Sequence, residues 1–340
     1  MTPAMQSAAT ALANLPDADM LLYVNPQKIL NEAAPKFMPA TEVTKMRAQF
    51  ADLKKAIGVD PSTIEYLVIA MRFHKPAGDL SFVAPDILAV AGGDFSADSL
   101  FTLAQLYAQD KARTEKRGSK TMLVMKVDPI AAQAEKTPLL KSLVEMGVVS
   151  LSANTIALGN LPYLQAAIDA SEGTGRINPA TLQSLLRDPN VLMASTGAPL
   201  MSFAKAFGLY GTETTPRDSR CETPFGNFYS AVTMNGSNLS LRGAMNADNP
   251  DTAKIISGLL AGLMQQGLDA VPDKEAQTLL KAIKLTPRES EVVWEADIPN
   301  SVFTDIFAPR PAVAPATVIK TTTPAKTTPH RTIRKKRPRQ

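Results

Sequence analysis

Cysteine is almost missing from this chain of 340 residues. Cys221 stands alone, so no intrachain disulfide can form, and that count leaves the redox compartment open. Histidine is nearly as scarce, with His74 and His330 only, too few for a His- or Cys-based metal site. No Asp-rich loop of calcium-binding spacing makes up for them, and no cofactor is expected. Long apolar runs are missing as well. The stretch 255–268 comes nearest to the roughly 18 residues of a membrane-spanning helix, and Ser257, Gln265 and Gln266 interrupt it. No transmembrane span is expected.

The motifs of common chemistries are also absent. There is no Gly-x-Ser-x-Gly elbow, no Gly-rich phosphate loop ending in Lys-Ser or Lys-Thr, and no Gly-x-Gly-x-x-Gly. Carboxylate pairs such as Asp94 with Asp98, or Glu289 with Glu291, fall at a helix start and in an exposed turn. No catalytic residue is assigned, and the chain is not expected to be an enzyme.

Acidic residues vanish from 310–340, which hold nine Lys and Arg. Taking nine from 36 basic residues leaves 27 against 32 acidic ones, so the rest of the chain is near −5. The basic character belongs to a tail and not to a folded face. Nucleic-acid binding by the folded body is therefore not expected.

What is present is a recurring pattern of hairpin and helix. The stretch 228–245 reads as two strands around Asn235-Gly236, with Leu239, Leu241 and Met245 on one face. Asn249 caps the helix that follows, and Pro250 takes its first position. Similar units run through 64–109, with Ser96 as cap, and through 148–168, with Asn160 as cap. Thr41 is expected to start a helix with Val43, Met46, Phe50, Leu53 and Ile57 on one stripe, ended by Gly58. The stretch 129–146 reads as a helix, and 111–120 as a basic connector. Strand, helix and hairpin then restart at 191.

The expected fold is α+β, with antiparallel sheets built from repeated ββα units, helices on one face and a tandem duplication. The expected organisation is a flexible N-terminus at 1–14, repeat domains at 15–188 and 189–308, and a disordered basic tail at 309–340.

Two candidate sites emerge. One is the long polar loop 211–227, which holds Arg217, Asp218, Arg220, Cys221 and Glu222. Loops of this length inside compact domains are usually functional or mobile, and the alternative is a solvated insertion. The other is the tail, where Arg331, Arg334, Lys335, Lys336, Arg337 and Arg339 should attract a polyanion such as a lipid surface or a wall polymer. No aromatic residue interleaves the cluster, so base stacking is not supported.

The opening Leu15-Pro16-Asp17-Ala18-Asp19, leading into an apolar strand and followed by Asn- or Ser-capped ββα units, resembles a group of exported bacterial proteins of the domain-of-unknown-function kind. The resemblance covers about 12–308. It implies an extracytoplasmic α+β protein and brings no catalytic residues. Residues 1–15 lack the basic and apolar regions of a signal peptide. Export thus requires removal of an upstream leader, and without one the protein is expected in the cytoplasm. The function expected is non-enzymatic binding or scaffolding at the envelope, with the tail on an anionic surface and a protein partner as a further option. The alternatives are an enzyme with a site at the junction of the two halves, and non-specific nucleic-acid binding through the tail.

Overall fold

Alternation along β1 (Met20–Val24) organises the architecture. Leu21 and Tyr23 are fully buried on one side, whereas Met20, Leu22 and Val24 turn to the other. The computed structural model describes residues 3–73, 85–126, 144–179, 181, 185, 188, 190–197, 225–270 and 274–302. Eleven further strands accompany β1: β2 (Ile64–Arg72), β3 (Asp86–Gly93), β4 (Ala112–Arg117), β5 (Lys120–Lys126), β6 (Glu145–Ser152), β7 (Thr155–Asn160), β8 (Val191–Gly197), β9 (Phe225–Asn235), β10 (Asn238–Ala247), β11 (Lys284–Arg288) and β12 (Glu291–Pro299). They form one sheet in the order β11-β12-β10-β9-β8-β1-β2-β3-β7-β6-β5-β4, with antiparallel neighbours throughout.

The α+β class and its antiparallel sheet are present as expected. Outward from the β1–β8 pair, the order runs through a hairpin and then a second hairpin on each side, and β5 and β4 extend one of them. Residues 15–188 and 189–308 do not separate into two bodies. Their strands share this sheet, and Met1–Phe307 forms one compact unit. The second unit, Ala308–Gln340, lies outside the described residues.

The helices lie on both faces of the sheet, not on one. Helix α1 (Pro3–Leu12) brings Ala8 and Leu12 to the face that holds Leu21 and Tyr23. Next come α2 (Pro26–Lys28), α3 (Ala34–Phe37), α4 (Ala40–Ile57) and α5 (Ala97–Ala108). Helix α6 (Leu161–Ser171) adds Tyr163, Leu164, Ala167 and Ile168 to the same core as α1. Gly147 lets α6 approach, because a Cβ there would meet the Leu164 side chain at 2.5 Å. Helix α7 (Pro250–Ala270), followed by α8 (Lys274–Ala282), packs Ala253 and Ile256 against Phe228, Met245 and Val292. Met20 joins that second cluster and its neighbour Leu21 the first, so the two cores sit on opposite faces. Leu239, Leu241 and Met245 line the second face, as their spacing predicts.

Several local expectations change. The stretch 1–14 is not a free N-terminus, since α1 and Leu15 are built into the main core. The basic connector 111–120 contains strand β4 at the sheet edge. Its polar run from Arg113 to Arg117, none of it fully buried, gives hydrogen-bonding backbone without an apolar signature. Thr41 lies inside α4, which starts after Pro39. Glu145 and Met146 belong to β6, and the rest of the expected helix at 129–146 falls outside the described residues up to 143. Ser96 and Asn249 do cap their helices, accepting from the amides of Ser99 and Thr252 at 3.2 and 2.8 Å.

Candidate functional site

Both sites expected from the sequence escape description. Arg217, Asp218, Arg220, Cys221 and Glu222 lie outside the described residues, as do Arg331, Arg334, Lys335, Lys336, Arg337 and Arg339. The polar chemistry of the described body is concentrated in two scaffold networks and one cleft.

The first network starts from a register pair. Arg72 and Asp86 face each other across the ends of β2 and β3. Arg72 donates through Nε and Nη2 to one Asp86 oxygen at 3.2 and 2.6 Å, and Asn160 Nδ2 donates to the other. Asn160 Oδ1 accepts from the Ile87 amide at 2.8 Å, so this side chain joins β7 to β3 instead of capping α6. The Arg72 guanidinium lies 4.7 Å from the centroid of the Tyr163 ring, and Tyr163 donates to the Asp17 carbonyl at 2.9 Å. Burial raises the Tyr163 phenol well above its ordinary value. Asp86 is only 5% exposed, and its oxygens are occupied by structural donors.

The second network pins the β4–β5 hairpin to the end of α6. Arg117 donates to both Asp169 oxygens at 2.8 and 2.6 Å, a forked arrangement. Glu172 accepts from the Ser119 amide and hydroxyl, both at 2.7 Å. Asp169 is held below the usual carboxylate range mainly by its hydrogen bond from Arg117, and Glu172 by the Ser119 amide. Elsewhere burial pushes Tyr23 up to about 12 and raises Tyr66, whose hydroxyl lies 3.1 Å from Thr155 Oγ1. No group of three metal-ligating side chains occurs among the described residues. No described helix is long and apolar enough to cross a membrane.

The cleft lies beside α4 and has a volume of about 370 Å³. Helical periodicity explains one wall, since Met46, Arg47, Phe50, Ala51 and Lys54 share one side of α4. The π-helical turn Ile29–Ala33 supplies Leu30 and Asn31, and Asp60 and Ser62 complete the rim. Gly58 makes this rim by ending α4 at φ 73°, which returns Asp60 to the last helical turn. Asp60 accepts from Ser62 Oγ at 2.6 Å, the Ser62 amide at 3.0 Å and Lys54 at 3.1 Å. The Ser62 hydroxyl is the largest cause holding its carboxyl below the usual range. Tyr107 donates to the Ala56 carbonyl at 3.0 Å and ties the far end of α4 to α5. Arg47 is exposed and makes no ion pair within the described residues.

No family model and no curated protein matches the chain. Among solved structures, crystal form III of a protein designated TP0453 covers 87% of this chain and 96% of its own, at 11% identity and a TM-score of 0.45. Crystal form IV covers 89% and 100%, at 10% identity and a TM-score of 0.42. Likeness of this degree assigns no activity.

The sequence carried a signal for the cleft in the Val43-Met46-Phe50 stripe of α4. That stripe reads equally well as a core face. Arg72 with Asp86 became visible only once the strand register placed them opposite each other.

Proposed function

We propose that this chain is a non-enzymatic, envelope-associated binding or scaffold protein whose basic tail contacts an anionic surface. The observation that carries this reading is the segregation of charge, nine Lys and Arg without Asp or Glu in 310–340 beside a body near −5. Such a tail is drawn to lipid headgroups or wall polymers by Coulomb attraction, which salt screens within about 10 Å at 0.1 M. The described body supports binding over chemistry. Arg72, Asp86, Arg117 and Asp169 hold scaffold elements together, and Asp60 is occupied by its neighbours.

The enzyme reading needs free ionisable groups at the junction of the halves. On one side of the β1–β8 seam, Leu21, Tyr23 and Ala194 belong to the main core, which favours binding. Duplication of an ancestral unit accounts for the matching strand order on the two sides of that seam. The resemblance noted at 12–308 supports an extracytoplasmic setting.

The test is cosedimentation with vesicles of phosphatidylglycerol and phosphatidylcholine. Full-length protein should pellet at low salt and release as salt rises, whereas a chain ending at residue 309 should remain in the supernatant. Equal pelleting of the shortened chain would sink the tether.

A further inference from the structure

We infer that the cleft beside α4 binds a small single-chain amphiphile with an anionic head. The inference deepens the binding reading and concerns the folded body alone. At about 370 Å³ the cleft falls within the roughly 300–1,000 Å³ of small-molecule sites. Leu30, Met46 and Phe50 give it apolar walls, which reward an apolar body in proportion to the area withdrawn from water.

The charges around those walls select the head. Lys54 is engaged by Asp60 at 3.1 Å, so these two largely cancel and leave Arg47 as the uncompensated charge. A cationic ligand meets Arg47 and finds Asp60 already accepting three hydrogen bonds. A sugar finds only the Asn31 amide and Arg47 uncommitted, because the Ser62 hydroxyl proton goes to Asp60 and Lys54 is engaged there as well. A polyphosphate would carry more charge than one free guanidinium matches, and Asp60 would repel the surplus. One carboxylate or phosphate head at Arg47, followed by an alkyl body along Met46 and Phe50, satisfies both halves of the cleft.

Isothermal titration on the full chain tests this, using decanoate, decyl phosphate and decyltrimethylammonium below their micelle concentrations. Decanoate or decyl phosphate should bind saturably, and the stronger of the two identifies the head. The ammonium analogue should bind at least tenfold more weakly. Arg47→Gln should weaken the anionic ligands about tenfold, and Ala51→Trp, which fills the cleft, should abolish binding. Both positions are exposed on α4, so the fold is retained, and non-specific uptake by the tail is the same in every variant. Equal decanoate affinity in the native chain and both variants would overturn the site. So would absence of saturable anion binding, or equal binding of the ammonium analogue. None of these three results bears on the vesicle experiment, which reads the tail.

Discussion

The two halves of the sheet are covered differently: the first buries residues on both faces, since Met122, Leu123 and Val124 are all buried in succession, and the second chiefly on one. From β1 to β5, α1 and α6 cover the face that carries Leu21, Val68, Leu88, Val124 and Ala157. From β9 to β12, α7 covers the other face, where Phe228, Met245 and Val292 lie. The face left open in the second half turns polar. Arg242 stands opposite Glu295, Glu295 opposite Lys284, and all three are exposed. The main core reaches into the second half through Val191, Ala194 and Ala231, while the core under α7 is smaller. The difference teaches that stability resides chiefly in the first half, while the helices of the second are held on one side only.

That asymmetry can be broken by mutation. Leu164→Ala removes a fully buried side chain of α6 and should cost about 3 kcal/mol in denaturant unfolding, whereas the half-buried Leu260→Ala of α7 should cost about 1 kcal/mol. A reversed ranking would refute the claim that the first core dominates.

A smaller effect should follow Asp86→Asn, which leaves Arg72 facing a neutral partner. Removing one member of a buried pair costs about 3–5 kcal/mol. Arg72 keeps 34% of its side chain exposed, so solvent screening brings the expected loss to about 2 kcal/mol. Thermal melts that leave the variant unchanged would show that the network is ornamental.

The smallest effect concerns pH. Asp169 is lowered in the folded state, so its contribution is present above the ordinary carboxylate value of about 3.9 and is lost as pH falls through the lowered one. Asp169→Asn should flatten the acid limb of the stability profile below about pH 4 and leave its neutral shape alone. An unchanged acid limb in urea titrations would remove the hairpin clamp from the list of acid-sensitive contacts.

Much of the scaffold was legible before the structure. Asn235-Gly236 marked a hairpin, Ser96 and Asn249 marked helix starts, and Gly58 marked a helix end, because each acts through local backbone chemistry. What was illegible depends on partners distant in sequence. Ala8 and Leu12 fell in the stretch expected to be flexible, since their burial needs β2 and β3 beneath them. β4 was hidden because an edge strand gains its pairing from β5 and keeps charged side chains outside. Asn160 has the residue type and position of a cap, yet Asp86 and Ile87 compete for it and win. Which face each helix covers is also a property of the whole sheet. Alternation predicts two faces and not their owners.

The β1–β8 pair has a kinetic consequence. Met20 pairs with Gly197, so the seam joins segments separated by nearly all of the first half. Hairpins such as β9–β10 close over a few residues, but this pairing must close a long loop before any of its contacts form. The halves can collapse separately and early, and their union is the slow event. Until it occurs, β1 and β8 each expose an unpaired edge, and during that interval the chain is most prone to join a neighbour's sheet instead of its own.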